Sequence, residues 1–403
     1  MAVGIIDNAA SDQIINQAQR VVDMWPTIGL LEPDEHPLMV ALRDSNIQER
    51  PAYSSKVEWL IDELHPRYAD LSATPIGVTG TINTLGTGQA AYFKAGDQVI
   101  VQETQETMIV LTTDNAQTIT VQRGWAIVAA TTTTAAGKLI RVAHAAAEGA
   151  SYPTPKQTVK QNLFNYTGIV RTACAWNGTL LEEKLWGQEP VMPYQVKKSG
   201  IEHEREWEMN LFMGRKQLAT TGVGSTSAPV HTMGGLKEAI VTNFTSSLTN
   251  LTQPTFDSFL RDKAFRFGSK TKIGICAPIF LSALSGWNYG KVQPTSYDAV
   301  GIGSSVTKYR VSTGEELILM QHRDWADFYE SAVNANSPNS LGNSLFILDI
   351  ADIRLRPLRT TKYLENRQNP GEDKRVNEYL TEMSMIWGDE RKHAIVRGVV
   401  SYS

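Results

Sequence analysis

Residues 194–219 read YQVKKSGIEHEREWEMNLFMGRKQLA, the strongest helical signal in the chain. On a 3.6-residue period Tyr194, Ile201, Phe212 and Ala219 fall on one line, with Trp207, Leu211 and Leu218 on an adjacent one. Glu204, Glu208 and Arg215 lie between the two lines. At 1.5 Å per residue such a helix spans roughly 40 Å, longer than a typical globular helix. A stripe interrupted by charge suits a helix supported along its edges and bridging several elements.

Upstream, residues 1 to about 50 read as a loose arm. A short amphipathic stretch, DQIINQAQRVVDMW, is followed by Pro26, Pro33 and Pro37, and its apolar partners must come from elsewhere in the subunit or from a neighbour. From Lys56, KVEWLIDEL leads into a Thr-, Val-, Ala- and Gly-rich region with YFKAGDQVIVQE, TMIVLTTDNAQTITVQRGW and KLIRVAHAAAEG. Alternation broken at AGD, DNA and RGW predicts short antiparallel strands, a small β-barrel or sandwich over about 75–150, inserted between SATPIG and EGASYPTP. NYTGIVRTACAW predicts a return strand. Beyond the long helix, TFDSFLRDKAFRFG and IFLSALSGW read as helices and KTKIGICAP as a strand. SVTKYRVSTGEELILMQHRDW reads as a hairpin turning at Ser312–Gly314. These make an α+β unit from about 230 to 345. SLFILDIADIRLRPLRT reads as one extended stretch open to β-pairing between subunits, and NEYLTEMSMIWGDERKHAIVRGVV as two strands around Gly388 and Asp389.

With 403 residues, 42% hydrophobic and 20% charged, the composition is that of a globular protein and excludes wholesale disorder. The net charge of −4 argues against a protein whose main task is gripping nucleic acid, so any DNA contact is expected to be local and weak. No apolar run approaches the ~20 residues of a membrane span, and the N-terminus carries no secretory signal. Cys174 and Cys276, in TACAW and IGICAP, read as buried free thiols suited to a reducing cytoplasm. The sequons at Asn165, Asn177, Asn243 and Asn250 are then chance matches.

No nucleophile elbow, HExxH, paired CxxC or complete phosphate loop occurs. GSKT at Gly268 lacks its upstream glycine, since that place falls on Lys263; GTGQAA and GIGSS are incomplete dinucleotide fingerprints and read as loop tips. His203 with Glu204 and Glu206 is poorly spaced for a metal and reads as a solvated helix face. The other histidines, His36, His65, His144, His231, His322 and His393, have no serine or cysteine in a local pattern. An enzyme would need distant residues such as Ser304, His322 and Asp324 gathered into a pocket. The most basic run, RLRPLRTTK at Arg354–Lys362, followed by Arg367, Lys374 and Arg375, reads as a solvated loop, or else as a face for packaged DNA or an acidic neighbour. No catalytic, cofactor-binding or metal residue is therefore assigned.

The order of segments resembles the α+β fold of tailed-bacteriophage major capsid proteins: N-terminal arm, extended loop, spine helix, axial domain and peripheral-domain strands. KVEWLIDEL, the insert ending AAAEGASYP, QNLFNYTGIVRTACAWNGT and KKSGIEHEREWEMNLFMGRK are similar to the podovirus and siphovirus capsid proteins of the Escherichia phage SU-ten type. The resemblance implies an arm over 1–50, an extended loop over 51–175 carrying the β-rich insert, and a peripheral domain over 176–229 completed by strands in 346–403. It places an axial domain over 230–345. It also implies self-assembly as pentamers and hexamers into an icosahedral shell around double-stranded DNA, in a virion assembled in the host cytoplasm. Expected partners are further copies of the chain, a portal protein and a separate scaffold or decoration protein, with weak DNA contact on the inner face, no cofactor and no membrane. A cellular nanocompartment shell of the same fold is the rival reading.

Overall fold

The computed structural model describes residues 36–44, 51–71, 82–113, 116–126, 137–153, 155–183, 191–219, 229–245, 250–289, 308–311, 313–328, 340–399 and 401–402. They divide into two units, Leu60–Asn162 and the remainder. The first element of the larger unit is helix α1 (Pro37–Asp44), opened by a proline whose missing N–H would have no partner in a first turn anyway. Its Leu38, Met39, Ala41 and Leu42 are buried in the main core, so this part of the arm finds its apolar partners within its own unit. The amphipathic stretch DQIINQAQRVVDMW lies outside the described residues.

Strands β1 (Lys56–Ile61) and β8 (Gln161–Tyr166) form a two-stranded ribbon. The smaller unit contains β2 (Tyr68–Asp70), β3 (Ile82–Thr84), β4 (Asp97–Val101), β5 (Thr107–Thr113), β6 (Thr118–Gln122) and β7 (Lys138–His144). They pair antiparallel throughout in the order β2-β7-β4-β5-β6-β3. The period-2 alternation seen in the sequence turns Val99, Val101, Ile119 and Val121 inward onto Phe93, Met108 and Leu139. Among the described residues the two outermost strands approach each other at the Leu71–Leu85 bridge and at Gly86 N, which donates to Asp70 O at 3.0 Å. Two buried carboxylates in this unit have local partners. Asp97 accepts from the Lys94 N–H at 3.1 Å and contacts His144 at 3.1 Å, and Arg123 Nε donates to buried Glu106 at 2.9 Å.

In the larger unit β9 (Gly168–Asn177) runs into the short helix α2 (Gly178–Glu182) and then α3 (Val191–Met213). Helix α3 starts three residues before the expected Tyr194 and stops six before Ala219. The reason is Gly214: a Cβ there would lie 2.4 Å from Asn210 Oδ1 and 2.5 Å from Met233 O. Its carbonyl accepts from Gly235 N at 2.8 Å, and the chain leaves as β10 (Gln217–Ala219), antiparallel to β11 (Val230–Thr232). Then come α4 (Leu236–Ala239), β12 (Asn250–Leu251) and α5 (Gln253–Phe259), which Thr252 and Thr255 open as a reciprocal capping box. The expected helix continues through a π turn over Leu260–Ala264.

Strands β13 (Thr271–Cys276), β14 (Lys308–Arg310), β15 (Glu316–Gln321), β16 (Leu345–Leu348) and β19 (Ala394–Val396) form a mixed sheet in the order β14-β15-β13-β16-β19, with α6 (Pro278–Tyr289) following β13. The β14–β15 hairpin turns as read, with Gly314 at φ +99°, a conformation that favours glycine. One expectation is corrected. The stretch SLFILDIADIRLRPLRT is broken by a helical turn at Ile350–Asp352, so β16 is an inner, wholly buried strand with no free edge, and only β17 (Arg354–Leu364) lies at a sheet edge. Two strands do flank Gly388 and Asp389, β18 (Lys374–Ile386) and β19, in different sheets: β18 joins β17 and β9 in a three-stranded antiparallel sheet. Strand β20 (Ser401–Tyr402) pairs parallel to β12.

Candidate assembly surfaces and an acidic cleft

Several residues flagged in the sequence have plain structural roles. The loop GSKT grips its own chain: Ser269 N and Oγ donate to Asp349 at 2.7 and 3.0 Å. Lys272 is 1% exposed, donates to Ala264 O at 2.6 Å and Phe267 O at 2.8 Å, and burial pushes its pKa down to about 8. In GTGQAA, Gln89 ties back to Asp70. His203 is buried, not solvated; its ring nitrogens meet Thr172 Oγ at 2.9 Å and Thr381 Oγ at 2.8 Å, joining α3 to β9 and β18. His393 is fixed as well, with Nε2 on Trp387 O and Nδ1 accepting from Asp349 N. Both cysteines are free thiols; Cys276 is buried and its pKa is pushed up to about 12, whereas Cys174 is only partly covered. Ser304 and GIGSS lie outside the described residues. Among the described residues no group of three His, Cys, Asp or Glu side chains could hold a metal.

The basic run is a strand, β17, with its arginines laid over β18. On the sheet face opposite α3, Arg359 Nε donates to Glu382 at 2.6 Å, while Arg171 Nε and Arg367 Nε donate to the two oxygens of Glu378, each at 3.1 Å. The carboxylates are 5–9% exposed and the guanidiniums 45–55%, so a partner meets cations with the anions beneath them. Ile169 lies on the same face, 46% exposed. The sequence could supply the basic run but not its pairing with Glu378 and Glu382 of the next strand, nor the arrival of Arg171 from 207 residues upstream of Glu378.

A second exposed set lies in the smaller unit. Leu60, Leu64, Tyr152 and Val159 are 64%, 94%, 87% and 87% exposed. Scattered surface apolar groups need no explanation, but four on two neighbouring stretches, 60–64 and 152–159, form a sticky margin.

The third feature is a cleft of about 380 Å³ between α1, α3 and the turn at Arg323–Phe328, where His322 and Asp324 of the hypothetical triad meet Glu208 and His36. Glu208 is 2% exposed and receives the first-turn N–H groups of α1, Leu38 N at 2.8 Å and Met39 N at 3.3 Å, so it anchors the arm. Burial outweighs those two bonds and raises its pKa to about 7. His322 Nε2 stands 3.7 Å away, and burial pushes that ring down to about 4. The two shifts act in opposite directions. A carboxyl raised in the fold contributes stability that is lost as pH climbs from about 4.5 to 7. A histidine lowered in the fold loses stability as pH falls from about 6.5 to 4. Between about pH 4.5 and 6.5 the contributions of these two groups therefore offset each other. Glu208→Gln should lose stability on acidification and His322→Gln on alkalinisation, read from urea midpoints; parallel profiles in wild type and both variants would refute the coupling.

The architecture, one long helix lying on a three-stranded sheet with a mixed sheet beyond it and a β-rich unit inserted upstream, is that of a phage capsid subunit. The cyanophage A-1(L) capsid subunit shares it at a TM-score of 0.51, with 9% identity over 97% of this chain and 98% of that one. Looser likenesses are the capsid of the myovirus XM1 (TM-score 0.45, 8% identity, 95% and 99% covered) and that of an empty GTA particle (0.46, 9%, 98% and 100%). No curated protein matches the chain in sequence. The chain belongs to the SU10 major capsid protein family, whose profile matches residues 8–400. Its role is therefore structural: it forms the capsid shell of a phage virion. No helix among the described residues is long and apolar enough to cross a membrane.

Proposed function

We propose that this chain assembles as hexamers and pentamers into an icosahedral head that encloses a double-stranded DNA genome. Residues 1 to about 50 run from the docked helix α1 along a neighbouring subunit, and 51–175 form a loop reaching over the adjacent one. Residues 176–229 with 346–403 make the peripheral domain, and 230–345 the axial domain around the five- and six-fold axes. The reading rests chiefly on the family match, and is supported by Leu60, Leu64, Tyr152 and Val159, which stand largely exposed. The arginine-covered face of the β17-β18-β9 sheet gives a second contact of opposite character. Unlike surfaces meeting head to tail generate rings, and rings generate shells, held by many modest contacts acting together. A portal protein, a separate scaffold or decoration protein, and local contact with packaged DNA complete the partners; the role requires no cofactor. Electron microscopy and sedimentation of the purified chain in moderate salt are expected to show closed particles, tubes or five- and six-membered rings. A stable monomer at every salt concentration would overturn the proposal.

A further inference from the structure

The shell contacts proposed above make no use of the cleft between α1, α3 and the Arg323–Phe328 turn. Five carboxylates line it, Glu202, Glu206, Glu208, Asp324 and Asp327, against one guanidinium, that of Arg205. Arg205 Nε is engaged with Asp324 Oδ2 at 3.0 Å, and Asp324 Oδ1 is buried without a hydrogen-bond donor. His322 stands in the same wall, 4% exposed, and its Nδ1 has no hydrogen-bond partner. Because burial keeps that ring neutral near pH 7, one of its nitrogens is an acceptor. His36, in contact with Glu204 at 3.7 Å, closes the arm side. The cleft thus holds an excess of acceptors and negative charge and a shortage of donors, and buried acceptors of this kind are normally satisfied.

A bare metal ion does not suit it, since no three ligating side chains converge among the described residues. The volume, about 380 Å³, is that of about a dozen waters at ~30 Å³ each and lies in the usual range for small-ligand sites. Met209 and Phe328 add apolar wall beside the carboxylates. We propose that this cleft binds an alkylammonium ion, its ammonium donating to Asp324 and Glu208 and its methylenes lying against Met209 and Phe328. The ammonium comes either from a free polyamine or from a lysine side chain of another copy of the chain.

The test is isothermal titration of the purified chain with putrescine near pH 7, in two buffers of different ionisation enthalpy, beside magnesium at matched ionic strength. One saturable putrescine site per chain is expected, with proton release, because a cation beside Glu208 drives off the proton it shares with solvent at that pH. Glu208→Gln should abolish the proton release. Glu202→Gln with Asp327→Asn, both at exposed positions that leave the fold intact, should weaken binding at least tenfold. Equal heats for putrescine and magnesium, or undiminished binding in the double variant, would overturn the proposal. Assembled particles separate the sources: binding before and after assembly identifies a free amine, and binding only before assembly identifies a neighbour's lysine.

Discussion

A chain carrying aspartate in place of both Leu60 and Leu64 is expected to fold normally and to form no particles. Both side chains are largely in solvent, 64% and 94% exposed, and substitutions at such positions usually change folding stability by no more than about 0.5 kcal/mol. In a shell the balance differs. Burying a leucine against a neighbour contributes roughly 1.5–3 kcal/mol, and an aspartate in its place adds an unpaired charge beside Asp62 and Glu63 at a cost of several kcal/mol more. Repeated at every subunit, that deficit removes closed particles. Circular dichroism and urea midpoints report the fold, and electron microscopy reports assembly. Particles at wild-type yield would show that residues 60–64 make no shell contact.

Phe212→Ala should have the largest effect on the subunit itself. The ring is fully buried on α3 and meets Trp325 edge-on at 4.8 Å, Phe346 of β16 at 5.0 Å and His322 at 6.2 Å, while His322 stacks on Trp325. One side chain thus joins the long helix to the mixed sheet and to the wall of the acidic cleft. Truncation of a buried phenylalanine costs about 3–5 kcal/mol, and lost edge-to-face pairs add to the upper end. The urea midpoint is expected to fall with an unchanged slope; Phe212→Leu should recover part of the loss. A loss under about 1 kcal/mol would mean that the surrounding core closes over the gap.

Local signals carried the sequence reading where periodicity or turn chemistry sufficed. The alternating strands of the insert, the Gly314 hairpin and the body of α3 all declare themselves within a few residues. The end of α3 did not, because Lys216–Ala219 keeps helical composition and what stops the helix is the approach of Met233 and Gly235 to Gly214. The stretch SLFILDI was legible as extended but not as an inner strand, since its neighbours β13 and β19 lie about 70 residues upstream and 50 downstream. His203 was misplaced on a solvated face for the same kind of reason: Thr172 and Thr381, which bury and bond it, are 31 and 178 residues away. Of the acidic cleft only His322 and Asp324 were grouped in the sequence reading, and its other carboxylates were not joined to them. Glu208 looked like an interruption in an apolar stripe, and only the docking of α1 reveals that it caps a helix from elsewhere in the chain.

The pairing of β9 with β18 joins residues 207 apart, as at Arg171 and Glu378. On a ribosome adding ~5–20 residues per second, roughly 10–40 s separate the emergence of these two strands. During that interval α3 has no completed sheet to lie on, and the arginine-covered face does not exist. The arginine-covered face is thus a late product of synthesis, present only once residues 374–386 have been made and have joined β9.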